Sequence, residues 1–84
     1  MPDMTQLLQA LQTAKAQRKR GELDERGFYV RLLELSAQLA PILIQEVQDT
    51  VTVMSDKEVR MQIPLVLAFL EDQIARFRAR EAQH

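Results

Sequence analysis

The sequence contains no cysteine and no tryptophan, only two glycines, and a single histidine at the last position, His84. The absence of cysteine excludes disulfides, zinc–thiolate sites and thiol nucleophiles, and it fits a reducing compartment. Two glycines cannot build a phosphate-binding loop, and no P-loop, dinucleotide-binding or nucleophile-elbow motif occurs. One histidine leaves a transition-metal site almost without ligands. We therefore expect no enzymatic activity, no cofactor, no metal and no small-molecule substrate.

Long apolar runs are also missing. The longest, Leu39–Ile44 and Ile63–Leu70, are each interrupted by a proline and fall far short of the ~20 residues that a membrane-spanning helix needs. The first residues lack a basic flank followed by an apolar segment, so we expect no secretory signal and no membrane attachment. These features predict a cytoplasmic protein.

What the chain does contain is typical of a small globular domain. Of its 84 residues, 46% are hydrophobic and 27% are charged, with 11 Lys and Arg against 12 Asp and Glu. This composition and length predict a single helical domain over residues 1–84. Because a domain of this size buries a limited fraction of its surface, we expect a second copy or another protein to contribute to its stability.

The first segment has helical periodicity. Met4, Leu8 and Leu11 recur at spacings of four and three, which predicts an amphipathic helix over residues 4–19. Asp3 is suited to cap the start of this helix, and Gly21 is suited to supply the left-handed residue after its end.

A second helix follows after a short turn, with Asp24 placed to cap its N-terminus. Its apolar positions recur at helical spacing, at Phe28, Leu32, Leu35 and Leu39. Pro41 then interrupts the helix. A linker this short makes the two helices antiparallel neighbours whose leucine stripes face each other. Gly27 costs the second helix about 1 kcal/mol relative to alanine; close approach of a neighbouring helix, or tolerance near a helix end, would explain it.

The residues from Gly21 to Glu25, followed by Phe28-Tyr29 and a leucine run, resemble the SHOCT-type short helical hairpin. That family's pattern is a helix, a G-x-[IL]-[STD] turn, and an acidic capped helix that begins with Phe or Tyr. The resemblance covers residues 8–36, under half of the chain. Gly27 and Leu32 depart from the acidic and basic residues usual at those places. The resemblance implies a small oligomerisation or binding hairpin, and it brings no catalytic residues.

The C-terminal part carries the most regular apolar stripe, at Ile63, Leu67, Leu70, Ile74 and Phe77. Upstream of it, Ser55 and Glu58 match the S-x-x-E capping box, which marks a helix start. Pro64 interrupts the pattern that follows, because proline removes a backbone donor. The stripe therefore predicts a long C-terminal helix over about residues 64–82.

Residues 50–63 are compatible with two structures. Thr50–Met54 and Val59–Ile63 are rich in β-branched residues and alternate with period two, as the strands of a hairpin would. The capping box at Ser55 and the helical spacing before it favour helix. The predicted fold class is accordingly all-α, an antiparallel helical hairpin plus a long C-terminal helix in a small bundle. The alternative is an α+β fold with a hairpin at residues 50–63.

The stretch Ile63–Leu70 is apolar on all sides. A helix that is apolar on all sides must be covered by other protein surface on all sides. In so small a domain, the surface that covers the side facing away from the core would come from another subunit. We therefore predict a non-enzymatic protein–protein interaction module, a homodimeric or larger helical adaptor or regulatory subunit. The predicted interface residues are Ile63, Val66, Leu67, Leu70, Ile74 and Phe77.

Basic residues cluster near the ends of the first and last helices. If the two ends meet, they form one patch that could bind phosphates, with an affinity that falls as salt rises. The alternative function is therefore a small helical nucleic-acid-binding protein. A sequence pI of about 5.8 and the helix dipole, which favours cations at helix C-termini, argue against it. The candidate contacts are Lys15, Arg18, Lys19, Arg20, Arg26, Arg76, Arg78 and Arg80.

Overall fold

The computed structural model describes residues 4–39 and 44–82. The helices in these ranges are α1 (Met4–Lys19), α2 (Glu25–Ala37), α3 (Ile44–Val53) and α4 (Asp56–Ala82). No residue within these ranges forms a β-strand, so the predicted all-α fold is confirmed. The alternative hairpin at residues 50–63 is wrong, because both of its arms are helical. Asp3, Pro41 and His84 lie outside the described residues.

Helix α1 has the predicted bounds, and its end forms a Schellman motif. Gly21 adopts a φ of 81°, in the left-handed region that glycine enters without steric cost. The Glu22 N–H donates to the Gln17 carbonyl at 2.8 Å, and the Gly21 N–H donates to the Arg18 carbonyl at 3.1 Å. These two bonds satisfy carbonyls that would otherwise lack partners at the helix end, and they reverse the chain toward α2.

Asp24 caps α2 as predicted. Its Oδ1 accepts a hydrogen bond from the Gly27 N–H at 2.7 Å. A Cβ atom added to Gly27 would lie only 2.9 Å from that same oxygen. Glycine therefore leaves room for the capping carboxylate, and this local contact, not close approach of another helix, accounts for its position.

Helix α4 begins at Asp56 rather than at residue 64, and Pro64 lies inside it. The Ser55 Oγ accepts from the Glu58 N–H at 3.1 Å and donates to the Glu58 carboxylate at 3.0 Å. The capping box is thus the true start of the helix. The prediction that Pro64 would interrupt the helix is wrong.

Helix α4 continues through Pro64 because the free energy gained by burying its apolar side chains exceeds the cost of a proline inside the helix. A proline inside a helix costs about 3 kcal/mol. Val59 and Ile63 before it, and Leu70 and Ile74 after it, are all buried on one side of α4. Each such side chain contributes about 1.5–3 kcal/mol, so the four together exceed the penalty. Pro64 itself is exposed, on a side of the helix where no packing is disturbed.

Helix α2 is the centre of the packing and contacts each of the other three helices. The core contains side chains from all of them, namely Met4, Leu7, Leu11, Ala14, Phe28, Tyr29, Leu32, Leu35, Val51, Val59, Ile63, Leu70 and Ile74. Helices α1 and α2 are antiparallel, as predicted, since a short turn joins them and Arg18, near the end of α1, lies over the ring of Phe28, near the start of α2.

Helix α4 passes α1 in the opposite chain direction. Leu67 lies beside Arg18 and Lys19, at the end of α1. Further along α4, Arg78 shares a hollow with Leu8, in the first half of α1. The C-terminal end of α4 therefore lies away from the turn that joins α1 to α2.

We expect Leu70→Ala to lower the free energy of unfolding by about 2–5 kcal/mol, because it removes a fully buried side chain and leaves a cavity. The matched control is Leu65→Ala, the same substitution on the exposed side of the same helix, which should change stability by no more than about 0.5 kcal/mol. Urea unfolding followed by circular dichroism at low protein concentration measures both. Equal losses for the two variants would contradict the assignment of buried and exposed faces.

Candidate functional site

The surface that stands out is the side of α4 that faces away from the core. Met61, Leu65 and Phe69 are 61%, 63% and 41% exposed. They follow one another at intervals of four residues, so they form a single line along the helix. We call these three residues the outer stripe. A contiguous apolar patch on an exposed helix commonly marks a contact with another molecule.

The surroundings of the outer stripe extend it at the sides and limit it at the ends. Pro64 and Ala68 lie beside it and are exposed as well. Glu58 is one helical turn before the stripe. After it come Asp72 and Arg76, which form an ion pair of 2.9 Å between the Asp72 Oδ2 and the Arg76 Nε. The patch is therefore apolar in the middle and charged at both ends, as protein interfaces usually are.

The structure places the predicted interface residues on a different side. Ile63, Leu70 and Ile74 are buried in the chain's own core. Val66, Leu67 and Phe77 are half-buried and pack against that core. These six residues hold α4 against α1 and α2. Val53 at the end of α3 is exposed, and the large apolar side chains that α4 leaves exposed are those of the outer stripe, which the periodicity of the sequence does not single out.

Its signal was present in the sequence all the same. The spacing of Met61, Leu65 and Phe69 is as helical as that of the core stripe, but it covers fewer turns. The longer stripe is the one that the rest of the chain covers, because it offers more apolar area to bury.

Of the eight basic residues predicted to contact nucleic acid, four are engaged in ion pairs. Lys15 Nζ lies 2.7 Å from Glu71 Oε1, and Arg20 Nε lies 2.6 Å from Glu22 Oε2. Arg26 pairs with Asp56, and Arg76 pairs with Asp72 as described above. The guanidinium of Arg18 lies 4.8 Å from the centre of the Phe28 ring, a cation–π contact.

From the two different basic clusters, the structure brings only Lys15 and Arg78 to one hollow, which Glu71 also lines. Arg18 and Lys19 are at the end of α1, beside Leu67, and Arg20 follows in the turn. Arg76, Arg78 and Arg80 follow further along α4, and at 1.5 Å per residue Arg78 is about 16 Å from Leu67 along the helix. One continuous basic patch would require the C-terminal ends of α1 and α4 to lie together, and in the structure they lie apart.

Arg26 has a structural task at the junction of three helices. Its guanidinium donates to the carbonyls of Val51 and Met54, the latter at 2.8 Å, and to the Asp56 carboxylate at 2.8 Å. It therefore joins the start of α2 to the end of α3 and the start of α4. A side chain committed in this way is a poor candidate for a nucleic-acid contact.

Among the described residues, the polar groups of the core are used internally. The buried Ser36 hydroxyl donates to the Leu32 carbonyl at 2.9 Å. Burial raises the pKa of the Tyr29 hydroxyl above its usual value, because the charged form would lose its hydration. No group of three or more potential metal ligands occurs in the described ranges. In the same ranges, no helix has the length and apolar character needed to cross a bilayer.

Comparison of the chain with protein-family models, with curated proteins and with solved structures gave no significant match. The candidate site therefore depends on the geometry of the chain itself.

We expect Arg26→Met to destabilise the fold by about 1–3 kcal/mol, because it removes one of the two donors to the Val51 carbonyl and the side-chain donor to the Met54 carbonyl, in a partly exposed place. The control is Arg31→Met, which removes an exposed arginine from the same helix. Thermal unfolding followed by circular dichroism compares the two. Equal melting temperatures would show that the Arg26 contacts do not stabilise the junction.

Proposed function

We propose that this chain is a non-enzymatic protein–protein interaction module that works as a homo-oligomer, as an adaptor or regulatory subunit. The observation that carries the proposal is the outer stripe, three large apolar side chains exposed on one face of the longest helix. The cytoplasmic setting and the absence of catalytic activity are retained from the sequence as parts of the proposal.

Energetics support an interface at this place. Burying apolar surface contributes about 25 cal/mol per Å². The outer stripe needs no refolding to be buried, because α4 is already held on its other side by the core. A rigid helix face loses little conformational freedom when it binds, which reduces the cost of association.

The helical hairpin formed by α1 and α2 gives separate, weaker support. Residues 8–36 resemble the SHOCT-type hairpin in sequence, and α1 and α2 form an antiparallel pair joined by a short turn. Membership of that family stays a prediction. A hairpin of this type implies oligomerisation or binding, which agrees with the proposal.

We expect Leu65→Asp and Phe69→Asp each to dissociate the oligomer while the helical circular dichroism signal is retained, because both side chains are exposed in the single chain. Size-exclusion chromatography with light scattering measures the mass, which should fall toward 9.7 kDa. The control is Thr13→Asp, which adds the same charge at an exposed position on α1. A wild-type chain that is monomeric at high micromolar concentration would refute the proposal.

The nucleic-acid alternative has less support, because only Lys15 and Arg78 share a hollow across the two basic clusters and four of the eight candidate residues are engaged in ion pairs. We expect at most weak binding of DNA or RNA. Fluorescence anisotropy with a labelled duplex and a labelled single strand, at about 50 and about 200 mM salt, measures it, since phosphate contacts weaken steeply over that range. Tight binding that falls steeply with salt would favour the alternative over the interaction module.

A further inference from the structure

A small hollow with a basic rim lies where the end of α1 meets α4. We call it the basic hollow, and its lining residues are Lys15, Arg18, Lys19, Phe28 and Leu67. It is open to solvent and has a volume of about 330 Å³, at the lower end of the range for binding pockets. Three of the five lining residues are cations, although the chain as a whole has a formal net charge of −1. The basic hollow is therefore a local positive site on a slightly acidic chain.

Two of these three cations are not bound by a carboxylate of the described residues. Lys15 is held by Glu71 at 2.7 Å. Arg18 has its contact with the Phe28 ring, and Lys19 has no ion pair within residues 4–39 and 44–82. A guanidinium that rests on a ring keeps its fork of N–H donors, which matches a carboxylate in a bidentate way. The rim thus offers a guanidinium and an ammonium to an anionic group of another molecule.

The lining next to these cations is apolar. Leu67 is half-buried and packs against the core, and Phe28 is buried beneath Arg18. A ligand that fills the basic hollow therefore gains free energy by placing an apolar group against Leu67 and an anionic group at Arg18 and Lys19. An acidic peptide segment with one large apolar side chain between its carboxylates combines the two.

A nucleic acid fits the basic hollow less well. Its affinity comes from many phosphate contacts along a strand, and Arg78, which belongs to the other basic cluster, is about 16 Å from Leu67 along α4. Bases bind by stacking on exposed aromatic faces, whereas the Phe28 side chain is buried and its ring is already covered by Arg18. The observations therefore favour a protein segment over a strand of DNA or RNA.

We propose that the basic hollow is a docking site for an acidic segment of another protein, which places a large apolar side chain against Leu67 and carboxylates on Arg18 and Lys19. The inference goes beyond the proposed self-association. Leu67 is two positions from Leu65, about 200° around α4, so the basic hollow and the outer stripe are on opposite sides of that helix. Self-association through the outer stripe leaves the basic hollow open, and the chain then has one surface for its own copies and another for a partner.

Titration with short peptides tests the chemistry of the ligand. The probe is acetylated and amidated Glu-Glu-Phe-Glu-Glu. One control, Gln-Gln-Phe-Gln-Gln, lacks the charges, and the other, Glu-Glu-Ala-Glu-Glu, lacks the apolar side chain. Amide shifts in the NMR spectrum of the isotope-labelled full chain measure both the affinity and the place of binding. We expect the probe to shift the amides at the end of α1 and around Leu67, and each control to bind about tenfold more weakly, since each lacks one half of the contact.

Two results of this titration would overturn the proposal. The first is equal binding of the probe and of the glutamine peptide, because the charges would then contribute nothing. The second is no binding of the probe at a concentration of about 1 mM, which corresponds to less than about 4 kcal/mol of binding free energy.

A single charge reversal tests the location. We expect Lys19→Glu to weaken binding of the probe by about three- to tenfold, because it places a carboxylate against those of the peptide. The matched control is Lys57→Glu, the same change at an exposed lysine of α4 that does not line the basic hollow, and it should change the affinity by less than about twofold. Equal losses in the two variants would show that the peptide responds only to the net charge of the chain, and would overturn the location.

A single-stranded oligonucleotide is the competing probe. If it shifts the same amides at lower concentration than the acidic peptide, the basic hollow is a phosphate site and the proposal is wrong. The Leu65→Asp variant separates this inference from the proposed function, because it alters the outer stripe alone and should bind the peptide as the wild-type chain does. A chain that forms oligomers but does not bind the peptide overturns the docking site alone, and a monomeric chain that binds it overturns the self-association alone.

Discussion

The structure depends on one constraint, namely that three helices all pack against one short central helix. Helix α2 has only 13 residues, yet α1, α3 and α4 all pack against it. Helix α4 has 27 residues and is about 40 Å long, at 1.5 Å per residue. The hairpin can therefore cover one side of α4 but not the other. As a result, the stripe of α4 that includes Leu70 is buried, and the stripe that includes Leu65 stays exposed. The proposed interface is this exposed stripe.

How much of the fold the sequence predicts depends on whether the signal is local. The bounds of α1 and the cap of α2 were predictable, because Gly21 and Asp24 act through neighbours in the chain. The apolar stripe and Pro64 predict that α4 begins near residue 64, whereas the helix begins at Asp56, after the Ser55 capping box. The cost of Pro64 is local as well, but the burial that offsets it comes from side chains of other helices, and no local rule contains that contribution.

The candidate site, too, could be predicted from the sequence only in part. Periodicity tells which residues share a face, so both stripes of α4 could be read from the sequence. It does not tell which face meets the core, because that depends on the direction and depth at which α4 packs. The basic clusters are similar: Arg18 and Arg78 are each near the end of a helix, and only the antiparallel passage of α4 across α1 separates them.

The junction held by Arg26 has a consequence for the dynamics of the chain. Helix α3 has 10 residues, fewer than the ~12–15 at which an isolated helix becomes even marginally stable in water. The carbonyl of Val51, in its last turn, and that of Met54, just after its end, accept hydrogen bonds from the side chain of Arg26, which belongs to α2. Opening of α2 would therefore release α3 in the same event, so the backbone amides of the two helices should exchange with solvent deuterium as one cooperative unit.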